Sequence, residues 1–255
     1  MYDITIKMLV HDKVLVTFLA IGLPTFAALV YTYSSYKQYV SLGDHGLPGD
    51  FSGWYQQFKW HRIARTDTRK PAPYKEQDLP PSIYTEESKK TYLPDKALSS
   101  RAGSRPVVPG FVAPQRQTTQ LPSAHMLEKQ EKFFKDIGVQ NPSLFAVKTS
   151  GIEKFGTALW VAPGREMPPI IKRMNGEFAH IHREGSVHLF LSLPDAENVL
   201  AKGWGERHKL TGPRIPWGYT LVYGPRDEEE FQTWKNIVKA SVAYFSGDSG
   251  DLYDI

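Results

Sequence analysis

An uncharged run, VLVTFLAIGLPTFAALVYTY from Val14 to Tyr33, constrains this 255-residue chain more than any other feature. About 20 apolar residues wound as a helix cross the ~30 Å hydrocarbon core of a bilayer. Lys13 and Lys37 flank the run, and Tyr31, Tyr33 and Tyr36 stand where an interfacial aromatic belt would lie. Gly22 and Pro24 weaken a soluble helix but are commoner in membrane spans. A cleaved signal peptide is the rival reading, yet the run is long for one and its end, YTYSSY, has no small-x-small cleavage site. A buried soluble helix is the other alternative. The expectation is a single-pass anchor over residues 1–36 that meets lipid through residues 14–33, in the endoplasmic reticulum or another endomembrane. Lys7 and Lys13 before the span, against Lys37 alone close behind it, favour a cytosolic N-terminus. The lack of any N-x-S/T acceptor free of proline leans the catalytic part towards the cytosol instead. The side of the membrane is therefore left open.

Beyond the anchor the composition is that of a globular protein, with 41% hydrophobic and 23% charged residues. Lys+Arg number 31 against Asp+Glu 27, a dispersed net charge of +4, and no concentrated basic stripe predicts a nucleic-acid partner. Cysteine is absent, which removes disulfides, thiolate nucleophiles, Cys–zinc sites and iron–sulfur clusters. Chemistry falls to His, carboxylates, Arg/Lys, Tyr and Ser.

Residues 37–122 read as a connector. Its first part, GDFSGWYQQFKWHRI, crowds aromatics that either dock on a folded domain or lie in the headgroup layer. Residues 67–122, rich in Pro and Ser, predict a tether or an extended wrap. Periodic structure resumes at Ser123, with a helix capped there and ended by Gly138. LFAVKTS, FGTALWVAP, EFAHIHR, SVHLFLSL and YTLVYG predict strands, the middle pair turning at Glu184–Gly185. A short helix from Pro194 stops at Gly203, and a last helix starts at an Asp227/Glu230 capping pair and ends at Gly247. Residues 123–255 are thus expected to form an α+β domain, an antiparallel sheet with helices packed on one face. GDSG at Gly247–Gly250 echoes a serine-protease motif but reads as a capped tail.

Four of the eight histidines fall between His180 and His208. His180 and His182, two apart on a strand, face the same way. His188 on the returning strand can come opposite His182. Glu177 has the opposite parity and faces away unless a bulge intervenes. His208 arrives in the loop GWGERHKLTGPR beside Arg207 and Lys209. Three readings are open: His180, His182 and His188 as metal ligands; neutral imidazoles as general bases beside Arg207 or Lys209; or structural histidines in a buried sheet. The loop's cations make an anion pocket or merely pair with carboxylates. Trp204 walls a flat substrate or simply packs.

EFAHIHREGSVHLFLSL, NVLAKGWGERHKLTGPRIP and YGPRDEEEF together resemble the fungal luciferase family, as does SRPVVPGFVAPQRQTTQL upstream. The resemblance implies oxygenation of a 3-hydroxy-α-pyrone of the 3-hydroxyhispidin type. O2 is the co-substrate, a cyclic peroxide loses CO2, and the excited product emits; no flavin, nicotinamide or obligatory metal is expected. It carries His180, His182, His188, Arg207 and His208 over as catalytic positions. In the roles assigned here, His180 or His182 is the base, His188 orients a partner imidazole, and Arg207 with Lys209 or His208 steadies the enolate. Trp204, Lys209 and Arg214 are assigned to substrate binding. The turn Arg183–Ser186 and the segment Arg214–Tyr219 are shorter than in luminous members. A non-luminous relative acting on another phenolic or polyketide metabolite is therefore an alternative. A membrane-tethered metabolite-binding protein without turnover is another.

Overall fold

The computed structural model describes Lys13, residues 15–93 and residues 98–247. Val14, Lys7 and the GDSG tail beyond Gly247 lie outside the described residues.

The apolar run forms the helix α1, Leu15–Ser41, of mean hydropathy 1.9 and long and apolar enough to cross a membrane. A π-turn over Phe18–Gly22 precedes Pro24, whose ring would otherwise strike the carbonyl one turn back. None of the most apolar window of α1 is buried, the reverse of a soluble core helix. The helix α2, Phe51–Trp60, is capped by Asp50, which accepts from Ser52 N at 2.9 Å and Gly53 N at 3.2 Å. It docks by one edge: Trp54 is buried and donates to Ser35 Oγ at 3.0 Å. Phe51, Tyr55 and Phe58 stay about half exposed on its other side.

The rest of the connector wraps the domain. Tyr74 donates to Glu197 at 2.5 Å, Thr91 to Asp195 at 2.5 Å, and Arg105 to the Leu200 and Gly205 carbonyls at 2.5 and 2.6 Å. Apart from 3-10 turns at Glu76–Asp78 and Glu86–Lys89 it has no regular element among the described residues of 61–123. Its backbone groups bond to side chains and loops of the domain instead.

The helix α3 covers Ala124–Gln140, capped by Ser123. It does not end at Gly138. A Cβ there would stand 2.3 Å from Val147 Cγ2, so the glycine permits close helix–sheet approach rather than termination. The strands are β1 Phe145–Thr149, β2 Thr157–Val161, β3 Glu177–Ile181, β4 Val187–Phe190, β5 Gly205–Arg207 and β6 Tyr219–Val222. They form one antiparallel sheet in the order β1-β2-β3-β4-β6-β5. The strand β5 falls inside the stretch expected to be a loop; three residues are too few for a period to show.

The helix α4, Leu193–Ala201, leads to Gly203 at φ +84°, and α5 spans Glu228–Ser246. Asp227 caps α5 through Glu230 N at 2.9 Å, but Glu230 reaches back to Arg226 N rather than to Asp227. Helices α3 and α5 share an aromatic seam, with Trp234 5.8–6.1 Å from Phe133, Phe134 and Phe231. Ser241 ties α5 to the Phe190 carbonyl at 2.7 Å. The helices cover one face of the sheet together with connector residues such as Tyr84 and Leu93, and the connector around Gln115 covers the histidine face, so every residue of β3, β4 and β6 is buried. This is an α+β fold with a site placed between sheet and wrap.

Candidate active site

His180 pairs directly with His188 across β3 and β4, not His182 with His188 as expected. The hairpin closes through His182 N to Ser186 O at 2.9 Å, one step beyond the paired residues. The rings still assemble: His182 Nε2 lies 3.1 Å from His188 Nδ1, and the ring centres of His180 are 5.1 and 5.4 Å from those of His182 and His188. His208 stands 5.4 Å from His188, and Tyr219 stacks on His188 at 4.8 Å and 19°. All four histidines and Tyr219 are buried.

The bulge that would turn Glu177 inward is present. Leu159 pairs with Ala179 but Trp160 pairs with Glu177, leaving Phe178 extra on β3. Phe178 joins Ala179 on the core side, packing on Phe145 and Phe245. Glu177 thereby shares the histidine face.

Partners assign the tautomers. Glu177 accepts from Ser150 Oγ at 2.6 Å, Gly151 N at 2.8 Å and Ile152 N at 3.3 Å, so it is a carboxylate and His180 Nδ1 donates to it at 2.7 Å. His180 Nε2 is then bare, and it is buried without a partner. Ser186 donates to Glu184, so its Oγ accepts from His182 Nδ1 at 2.8 Å, leaving His182 Nε2 bare. The Gln115 amide donates to Glu206 at 3.2 Å and to the Arg207 carbonyl at 3.0 Å, which turns its oxygen to accept from His188 Nε2 at 3.1 Å. His188 Nδ1 is bare too. His208 differs: its Nδ1 accepts from Leu210 N at 3.1 Å, so Nε2 carries the proton.

Burial sets the charge state. It lowers His182 and takes His188 well below the usual imidazole range, and it pushes His208 down to about 3. Burial likewise holds the Tyr219 phenol well above its ordinary value, so it stays protonated. Burial raises the Glu153 carboxyl, but the Arg116 guanidinium paired with it helps hold it below its ordinary value. Arg116 is ion-paired with Glu153 and lies 3.8 Å from Glu184. A cavity of about 210 Å³ opens here, lined by His188, His208, Tyr219, Gln115 and Glu153, with His45 and Trp60 from the connector. A wider cleft of about 500 Å³ touches His182, Arg116 and Glu153 from another side.

Arg207 is not in this cluster. It pairs with Thr220, one step from the Leu221 that faces His188, so strand alternation sends its side chain to the opposite face. There it donates to the Lys70 and Trp217 carbonyls at 2.8 and 3.1 Å and lies over Tyr74 at 5.7 Å. Only its carbonyl touches the site, through Gln115. Lys209 donates to the Gly110 carbonyl, outside the cavity. Trp204 is core, its indole N–H on the Ser99 carbonyl at 2.7 Å. Arg214 is exposed on a separate groove with Tyr74 and Pro216. The cation beside the histidines is Arg116. It sits in the VAPQRQ stretch, whose wrapping contacts carry no sequence period. Gln115, Glu153, Tyr219 and the Glu184–Ser186 pair were likewise missed as site residues; each faces the site only through tertiary packing.

The fold and site define a domain in which a buried imidazole cluster on an antiparallel sheet borders a small cavity. Residues 175–241 match the family described as "Luciferase domain". The protein named "Luciferase" from Armillaria mellea is 28% identical over 248 residues, covering 91% of this chain and 88% of that one. The "Luciferase" of Armillaria ostoyae is 31% identical over 175 residues, 63% of this chain, and that of Neonothopanus nambi is 31% identical over the same length. This chain spans 65% and 64% of those two relatives. No solved structure matches it. The chain is thus similar to fungal luciferases, with the family match confined to the segment that carries the histidine hairpin.

Proposed function

We propose that this protein is a membrane-anchored oxygenase that joins O2 to an electron-rich hydroxylated pyrone of the 3-hydroxyhispidin type and releases CO2. The observation that carries the reading is the set of buried, neutral imidazoles bordering a cavity, in a chain whose relatives are named luciferases. Triplet O2 reacts poorly with closed-shell molecules, whereas an enolate can pass it one electron. The site's tasks are to remove the enol proton, hold the anion and exclude water.

The His182 Nε2 and His188 Nδ1 lone pairs, 3.1 Å apart, are the acceptors for that proton, with Glu184 behind Ser186 offsetting its charge. His208 Nε2–H and the Tyr219 hydroxyl are the donors for the anionic oxygen. O2 then adds across the ring to form a cyclic peroxide, and loss of CO2 leaves an acid. The α1 helix anchors the enzyme in lipid.

Purified protein with 3-hydroxyhispidin is expected to take up O2, release CO2 and emit light. O2 uptake without light, or with another hydroxylated pyrone only, identifies a non-luminous member. No O2 consumption across a panel of such pyrones overturns the reading.

A further inference from the structure

Three imidazole nitrogens of the site face one another with no hydrogen to share. Each ring has its one proton committed on the far side: His180 to Glu177, His182 to Ser186 and Glu184, His188 to Gln115. The lone pairs left are those of His180 Nε2, His182 Nε2 and His188 Nδ1, and one ring nitrogen from each of the three residues lies within 4.8 Å of the others. Two of them are 3.1 Å apart, and the third is buried with no partner at all. Bare lone pairs packed against each other repel, and a buried acceptor left empty is costly. The arrangement asks for a positive centre between the rings.

We propose that His180, His182 and His188 bind a divalent first-row transition-metal ion through these three nitrogens. A carboxylate behind the ligating imidazole is the usual means of fixing its tautomer and raising its basicity. Glu177 stands so behind His180, and Glu184, through Ser186, behind His182. Neutral imidazoles without thiolate suit ions such as zinc or iron(II). With metal–nitrogen bonds of about 2.1 Å, a 3.1 Å pair subtends about 95° at the ion. Two such bonds reach at most about 4.2 Å, so binding would draw any pair standing at the 4.8 Å limit inward by at least about half an ångström. His188 also lines the cavity, which puts the ion next to bound substrate. With the ion bound, the His182 and His188 lone pairs would no longer serve as the base of the metal-free reading; the enolate oxygen would be a ligand and the enol proton would leave to solvent. The site's occupancy does not rest on the oxygenation and is measured without substrate.

The test uses the full chain, purified in detergent, exchanged into metal-free buffer, analysed for metals and titrated with cobalt(II). About one equivalent should bind, with the visible absorption of imidazole-ligated cobalt. His180→Ala and His182→Ala should abolish that band, and Glu177→Gln should weaken binding roughly 10–100-fold. His125→Ala, on the exposed side of α3, should keep it. If the folded parent gives no cobalt band, the site is not a metal site. Equal metal retention in parent, His180→Ala and His182→Ala would likewise show that the ion sits elsewhere on the surface. Should the alanine variants fail to fold, the parent's titration decides alone.

Discussion

Glu177 accepts a 2.7 Å hydrogen bond from Nδ1 of His180, three residues along the same strand. In regular β structure the two side chains would leave opposite faces. One extra residue, Phe178, reverses the parity between them. The bulge thus serves the core and the site at once, and both depend on a carboxylate that accepts four hydrogen bonds.

Replacing that carboxylate by alanine should be costly. Bonds to a charged acceptor contribute about 1.5–3 kcal/mol each, so Glu177→Ala is expected to lower unfolding stability by at least about 3 kcal/mol in urea titrations. The His180 ring, freed at Nδ1, should show mixed tautomers in nitrogen NMR spectra. Unchanged stability would mean that the bulge is held by packing around Phe178 alone.

Arg116 and Arg207 separate cleanly. Arg116 and Glu153 are a buried pair, and removing one partner of such a pair costs about 3–5 kcal/mol. Arg116→Met should destabilise by that order, and adding Glu153→Leu should recover much of it. Arg207→Met should also destabilise, through loss of the Lys70 and Trp217 contacts, while leaving the KM of any turned-over substrate unchanged. A rise in KM of tenfold or more in Arg207→Met would return that side chain to the cavity.

Stability should fall as pH drops below about 6.5. Burial lowers His182, His188 and His208, so the unfolded chain binds protons that the folded chain refuses. Where the unfolded state holds more protons, stability rises with pH. Their contribution is therefore complete above the unfolded value near 6.5 and is lost on acidification, for His208 down to about 3. Each such group costs up to about 1.4 kcal/mol per pH unit in that window. Urea midpoints measured from pH 7.5 to 5 should decline, and His208→Gln should flatten the slope. A flat profile would show that these rings charge freely in the fold.

The α1 helix carries the localisation reading. Nine of its large apolar side chains from Leu15 to Val30 are more than half exposed, an area that water does not favour. The full chain should resist high salt and alkaline carbonate in membrane fractions and yield only to detergent. Release by salt would make the association peripheral.

Much of this was legible in the residues themselves. The long apolar N-terminal helix, the helices capped at Ser123 and Asp227, the β3–β4 hairpin and the grouping of His180, His182 and His188 all follow from local rules of length, capping and alternation. Those rules act over a few residues and need no partner. The tertiary structure alone decided the rest. A bulge turned Glu177 inward, a hairpin register two residues from the expected one set His180 rather than His182 opposite His188, and strand parity turned Arg207 away. The aperiodic wrap, held by long-range hydrogen bonds, delivered Gln115 and Arg116 in its place. Which polar groups meet in a buried site depends on contacts between residues tens of positions apart, Arg116 with Glu153 across 37 and Gln115 with His188 across 73, and no local pattern of residues encodes such pairings.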